Sequence, residues 1–488
     1  FSDDVYYLLA GKSFWEGSME VNAYHFSSRW GAYVPSGLMG HLLGFEPHRI
    51  SLISWISYVG TLALLIKALP DRFNPGILTL WFCTQVYLLH FLTKVYPDAL
   101  LIFWTFLVPF SAIYRNEKPI LAAFGVISGL FFGFITKETI VLLAPLPVLL
   151  FLWDRRKENL NSTFYWAILG FGFLFGLGYL GYFWSQFGDP FYRVSSINAG
   201  HYVSEFTYAD KGIWSILRRI SYLPILTFIE RAYWVWILMA IPGLYKVWKS
   251  KDSEGIEMAL AGVCLIFGFW FMTSTLEFYN PIYLNPRHLI ILVPILSYLI
   301  ALGWMEWQER TNLKLGIQIL LLLGVLVSAF QGDLKMAGFQ LAFLAWFSFP
   351  VINQNWIVLS ILLLAPALAS IFYQQKIKGY SPFEKILLKE TQSEVQPILV
   401  NNFVHFSREV LLPENQPAQN LLLPIEKLDS IRPNLPREFK VLLYEYYQHA
   451  YPKEEEDVAP LETWLKANAQ ILREEKQGNV WVRRYRIN

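Results

Sequence analysis

Residues 163–183 read TFYWAILGFGFLFGLGYLGYF, an uncharged run that follows the basic triplet Arg155-Arg156-Lys157. A helix needs about 20 mainly apolar residues to cross the hydrocarbon core of a bilayer, and this run supplies them. Working outward with the same rule gives further spans near 50–69, 76–92, 97–114, 120–136, 139–153, 225–248, 255–274, 288–308, 313–330, 337–350 and 355–373. About twelve crossings are therefore expected. The shorter ones carry Pro145, Pro147 and Pro350, which neighbouring helices can accommodate by satisfying freed carbonyls.

Composition agrees. Of 488 residues 55% are hydrophobic, 17% aromatic and only 16% charged, and the mean hydropathy is +0.35. Soluble domains carry roughly a quarter charged residues, so the chain reads as a polytopic membrane protein. A net charge of +2 gives no reason to expect nucleic acid as a partner. The 19 Trp and 27 Tyr suit amphipathic rings at both headgroup levels. Cys83 and Cys264 lie in distant apolar runs and read as small core residues without a disulfide or metal role.

The loops alternate in charge. One set holds Lys67/Arg72, Arg115/Lys118, Arg155-Arg156-Lys157, Lys246/Lys249/Lys251 and Arg310/Lys314, and the other holds the single cations Lys94, Lys137, Arg287 and Lys335. The positive-inside rule makes the first set cytoplasmic. With an even number of spans, residues 1–49 and everything after Tyr373 then lie outside. No cleavable signal peptide opens the chain, which begins at Phe1, and a cytoplasmic N-terminus would require one more helix upstream.

Three regions are expected outside the bilayer core. In the first outer loop, 1–49, Asp3–Glu16 and Trp30–Phe45 are too short or too polar to span and suit helices in the headgroup plane. Residues 184–224 form an outer loop within the membrane domain 50–375, and include an amphipathic segment around Gly212–Ile220. From 376 to 488 the chain turns charge-dense, with strand-like runs at 398–400, 440–444 and 480–482 and a helical pattern over Leu461–Glu475, as in a small α/β domain.

The outer charges carry the functional information. Lys94 and Asp98 flank Val95-Tyr96-Pro97, Lys137-Glu138 sits between two apolar runs, and Pro286-Arg287-His288 opens a span. Charges at such depth are expensive and face a protein interior or an aqueous cavity. Each cation has two readings. It pairs with a carboxylate, as Lys94 with Asp98 or Lys137 with Glu138 or another acid, or it holds a lipid phosphate, which the planar guanidinium of Arg287 suits well. Asp3 and Asp4 likewise read either as first-turn acids on a surface helix or as paired carboxylates for chemistry. Tyr6 and Tyr7 read as interface anchors or ligands, and Arg29 as a headgroup contact. The histidines His25, His41, His48, His201 and His288 lack metal-ligand spacing, so no certain cofactor follows, although a divalent metal stays open. Asn161-Ser162-Thr163 matches a glycosylation acceptor but falls in an expected cytoplasmic loop.

The order of these features resembles the GT-C glycosyltransferases. They run from Asp3-Asp4-Val5-Tyr6-Tyr7 through Arg29 to Pro35, Tyr96-Pro97-Asp98 and Thr136-Lys137-Glu138 to Pro286-Arg287-His288. Within that superfamily the likeness is to the branch holding dolichyl-phosphate-mannose protein mannosyltransferases and the bacterial aminoarabinose transferase that modifies lipid A. It covers roughly residues 1–373. Members move a sugar from a polyprenyl phosphate to an acceptor on the outer side. The resemblance implies that Asp3 is the base, that Asp4 stands where Glu is commoner, and that Tyr7 matches a tyrosine three residues after the second acid. Arg29 is the nearest match to a phosphate-binding lysine, without the prolines adjacent to it in the family. The resemblance also implies a first helix before Phe1.

The expected protein is thus an all-α polytopic membrane protein of GT-C type with interfacial outer-loop helices and a small extracytoplasmic α/β domain. Its expected reaction is inverting transfer from a polyprenyl-phosphate sugar donor. Asp3, as the base, and Asp4 are the expected catalytic residues, and Tyr7, Arg29, Lys94, Asp98, Lys137, Glu138 and Arg287 are expected to bind substrate. A bacterial inner membrane, with the site on its periplasmic face, is the implied location. A glycolipid, a polysaccharide and a protein all remain open as acceptor. The rival readings are a lipid-linked sugar transporter, which would show paired helix breaks in two halves, and a non-catalytic assembly subunit.

Overall fold

The computed structural model describes residues 3–200, 207–249, 254–349, 356–393, 395–413, 415–446 and 457–488. His201, Lys251 and Pro350, singled out above, lie outside the described residues, as does the side chain of Asp3. The chain divides into two compact units, one of residues 18–35 and 51–367, the other of 1–17, 36–50 and 368–488.

The larger unit is a bundle of helices. Among the described residues of the whole chain, five helices are long and apolar enough to cross a bilayer: Pro47–Ala68, Pro119–Thr136, Ser162–Phe187, Thr311–Phe330 and Trp356–Gln392. A sixth crossing results if Leu223–Glu230 and Trp234–Lys249, bent by 110°, form one span. Pro97–Ile113, Ile256–Phe271 and Pro286–Leu302 are apolar but shorter. Twelve uninterrupted spans are therefore not what the structure shows, and local chemistry explains the breaks.

The run expected at 76–92 stops at Cys83 and restarts at Val86, because Gln85 turns extended and its side chain accepts a hydrogen bond from Leu88 N. The run at 139–153 becomes a 3-10 turn, Glu138–Leu143, and a helix, Leu146–Arg156, divided at Pro145, since proline lacks the N–H that would continue the ladder. The bend near 231–233 contains Ala232 at φ 56°. The span read as 288–308 ends at Leu302. Gly303 follows, where a Cβ would collide with the backbone of Gly243. Small residues allow such close backbone approach in membrane helices.

The opening run fares better. Ser162–Phe187 is one helix, roughly 39 Å long at 1.5 Å per residue. Trp166, Leu169, Phe173 and Leu174 stand exposed along it, as lipid-facing side chains do, while Phe164 and Phe183 are buried. The bundle interior is closed by residues such as Leu101, Phe106, Leu265 and Val293, all fully buried.

Pro97–Ile113 and Pro119–Thr136 pack together across the five-residue connection 114–118. A short connection makes neighbouring helices antiparallel, so Asp98 at the start of one meets Lys137 at the end of the other. The opposite end is fastened by Arg115, which donates to Asp154 through Nε (2.7 Å) and Nη2 (2.8 Å) and pairs with Glu257.

The smaller unit contains the helix Asp3–Trp15, part of Trp30–Leu43, and the C-terminal domain. Both N-terminal segments are helical where the sequence placed them. Gly37 has no room for a Cβ against the Gly11 carbonyl, so these two helices touch backbone to backbone. In the C-terminal domain the strands are β1 (Ile398–Val400), β2 (Leu422–Pro424), β3 (Glu438–Tyr444), β4 (Ala469–Gln477) and β5 (Val480–Ile487). Their order is β2-β1-β3-β5-β4, with β1 parallel to both neighbours and β3-β5-β4 antiparallel. Along β3, Leu442 and Tyr444 face one hydrophobic cluster, while Phe439, Val441 and Leu443 face another. That is the period of two expected of a sheet covered on both sides. The helical pattern read over Leu461–Glu475 is half right: the helix is Ala459–Asn468, and from Ala469 the chain is strand. Pairing with β5 overrides helix propensity there, and the two-residue turn needs Gly478 at φ 60°.

Candidate active site

Three sequence motifs converge at one end of the larger unit. Asp98, fully buried, follows Pro97 in the first turn of its helix. Lys137 ends the preceding bundle helix at Thr136 in extended conformation, and its Nζ lies 2.5 Å from Asp98 Oδ1. Arg287 is presented by a short turn that Asn285 caps through Oδ1, and Arg287 Nε lies 3.3 Å from Asp98 Oδ2. Asp98 thus bridges two cations from different helices. The Arg287 guanidinium also stacks over the Tyr96 ring at 4.8 Å.

Next to Lys137, Glu138 makes a second bridge. Arg29 donates to it through Nε (3.2 Å) and Nη2 (2.8 Å), and Arg193 Nη2 donates at 2.7 Å. Arg193 also donates to the Phe134 carbonyl and to the Tyr179 hydroxyl. Gly31 makes the approach of Arg29 feasible, because a Cβ there would collide with Thr136. Trp30 anchors the segment by stacking on Phe183 at 5.6 Å. Gly31→Val should push Arg29 off Glu138 and lower thermal stability, measured by the unfolding midpoint, while Gly31→Ala should do so less.

Four cations and two carboxylates from separate segments therefore meet in one place. Burial by itself pushes the Glu138 carboxyl up, but Arg29 and then Arg193 outweigh it and hold the group well below the usual carboxylate range. Glu138 is thus a fixed anion rather than a proton carrier. Burial lowers Lys137 to about 8, with Asp98 opposing and Arg287 and Arg29 adding to the drop. An ammonium poised there is charged below pH 8 and neutral above it. Its attraction for an anion is accordingly present at low pH and lost as pH rises through 8. Binding of inorganic phosphate at this cluster should weaken above pH 8 in the native protein and stay level to pH 10 in Lys137→Arg, read from the two titration curves.

The pairings refine the sequence reading. The acid that Lys137 contacts is Asp98, and Glu138 serves the arginines instead. Lys94, one turn before Asp98, has its Nζ 2.9 Å from His90 Nε2 and above the Phe91 and Tyr96 rings. Asp4 and Tyr7 lie in the smaller unit, on the Asp3–Trp15 helix. Asp4 Oδ1 accepts from Val5 N at 3.2 Å, and Tyr7 is buried. Arg193 was not singled out from the sequence. It was legible by the rule that selected Lys94, since it is a lone cation between Tyr192 and Val194 in the loop expected at 184–224. Among the described residues no group of three or more His, Cys, Asp or Glu is placed to hold a metal ion. Asp98 and Glu138, each already held by two cations, do not fit one either.

An apolar helical bundle with helix starts and ends gathering charge at one pole, together with a small C-terminal sheet, is a fold this chain shares with solved membrane-protein structures. Solved structures with this fold include ArnT from Cupriavidus metallidurans bound to undecaprenyl phosphate. It is 10% identical in sequence with a TM-score of 0.57, over 99% of this chain and 93% of that one. The apo form of the same protein matches over the same shares at 10% identity, with a TM-score of 0.56. No family model matches the chain, and no curated protein matches it by sequence. The likeness is one of fold.

Proposed function

We propose that this protein is an inverting glycosyltransferase that takes a sugar from a polyprenyl-phosphate donor and passes it to an acceptor hydroxyl on the outer face of a membrane. The observation that carries this reading is the group of Arg29, Lys137, Arg193 and Arg287, the first three buried, around Asp98 and Glu138. Guanidinium groups match phosphate oxygens in a planar, two-point fashion, and the carboxylates keep them in position before a ligand arrives. The fold it shares with a protein whose crystals hold undecaprenyl phosphate supports the same ligand class.

In the proposed reaction the acceptor oxygen attacks the anomeric carbon of the donor sugar. The bond from that carbon to the phosphate oxygen breaks, and its electron pair leaves with the polyprenyl phosphate. Asp3 takes the hydroxyl proton as general base, with Asp4 as its companion, and Tyr7 and Lys94 are assigned to substrate binding. The cations stabilise the negative charge that builds on the departing phosphate, so they act most strongly where charge develops.

Purified protein incubated with a radiolabelled polyprenyl-phosphate sugar tests the reading. Binding that is lost in Arg287→Ala, with sugar released to an acceptor or to water, supports it. Binding without any transfer or hydrolysis, accompanied by movement of the donor between leaflets of a vesicle, would instead make the protein a transporter. Neither binding nor turnover would leave an assembly subunit.

A further inference from the structure

At the other pole of the larger unit lies a cavity of about 300 Å³. Trp304, just beyond the C-terminal end of the Pro286–Leu302 helix, and Trp356, at the start of another helix, form one side, with ring centroids 5.7 Å apart and planes 23° apart. Phe73, Arg72, Asn74 and Gln308 complete the rim. The Pro286–Leu302 helix starts beside Arg287 and ends here, so the cavity is a bundle length away from the candidate active site.

We infer that this cavity binds the phosphate-ester headgroup of an anionic phospholipid, at a site separate from the one that holds the donor. Paired tryptophans at the ends of membrane helices mark the headgroup level. The lining offers donors and no carboxylate: the guanidinium of Arg72, which is 59% exposed, and the side-chain amides of Asn74 and Gln308. Asn74 Oδ1 is taken by Gly76 N, which turns its amide N–H groups to other acceptors. Arg72 and Lys246 both lie over the Phe73 ring, at 5.1 and 4.5 Å. Glu254 pairs with Arg72, and Glu306 lies 3.8 Å from Lys246. These acids hold the cations in place, and a guanidinium with five N–H donors keeps capacity for a phosphate. Met305 and Trp356, both half-exposed at the mouth, suit the start of the acyl chains. The volume is at the lower limit of ordinary ligand pockets and fits a headgroup rather than a whole lipid. Cations next to a membrane draw anionic lipids to such positions.

Delipidated full-length protein, titrated with phosphatidylglycerol or phosphatidylcholine and read by native mass spectrometry, tests this. One phosphatidylglycerol should be retained per chain, about tenfold more tightly than phosphatidylcholine, the factor a single charge-assisted contact supplies. Arg72→Ala and the double variant Asn74→Ala/Gln308→Ala should each abolish the preference, while Lys118→Ala, a cation outside the lining, should keep it. Undecaprenyl phosphate binding, assayed in parallel, should be unchanged in all of them. Equal retention of the two lipids by the native protein, or a preference that survives both cavity variants, overturns the inference. So does glycerol phosphate competing as well as the intact lipid, because the site would then take a soluble phosphate. These outcomes are independent of whether the protein transfers a sugar.

Discussion

Asp3→Asn should abolish sugar transfer while leaving donor binding intact. A general base that deprotonates the attacking hydroxyl contributes about 10²–10⁴-fold to a rate, and asparagine keeps the size and polarity of the side chain while losing its basicity. The cations proposed to hold the phosphate belong to other segments, so polyprenyl-phosphate affinity should stay within about twofold, a small change on the free-energy scale of binding. The split matters, because loss of the chemical step alone is the signature of an interaction made only in the transition state. Asp4→Asn offers the comparison: a larger effect there than at Asp3 would exchange the roles of the two acids. Undiminished transfer in well-folded Asp3→Asn would remove Asp3 from the mechanism.

The second large effect is expected at Glu138. Glu138→Ala strips Arg29 and Arg193 of the carboxylate they share. Both guanidiniums are almost fully buried, and breaking a buried pair from one side costs about 3–5 kcal/mol, since the remaining charge stays in a poor dielectric. Thermal unfolding should shift down accordingly. Phosphate-lipid binding should fall in the same variant, because Arg29 and Arg193 lose the anchor that aims them. Glu138→Gln keeps an acceptor oxygen without the charge and should fall between Glu138→Ala and the native protein on both readouts. Native stability together with native affinity in Glu138→Ala would refute the claim that this carboxylate organises the cation cluster.

Both arguments started from residues that the chain displays openly. Apolar runs of spanning length cannot be hidden, so the membrane class and the helix at 163–183 were legible directly. Loop charges indicate which ends of the apolar runs belong together, and they group Asp98, Lys137, Glu138 and Arg287. The breaks were less legible, because hydropathy averages over a window. It does not register a capping Gln85, a positive φ at Ala232, or a Gly303 pressed against Gly243. The continuation of Leu461–Glu475 into strand β4 was hidden for a different reason: only the neighbouring β5 decides it.

By itself, then, the sequence determined that the chain is an integral membrane protein with a charge-dense C-terminal part, since that depends on local composition and length. It also determined which charges needed explaining, since an ion deep in an apolar run is costly wherever the chain folds. Tertiary structure decided the partners. Glu138 adjoins Lys137 in sequence, yet it serves Arg29 and Arg193, while Lys137 turns to Asp98, 39 residues away. Pairing depends on which side chains helix packing brings within about 3 Å, the reach of a charge-assisted hydrogen bond. No pattern along the chain carries that distance.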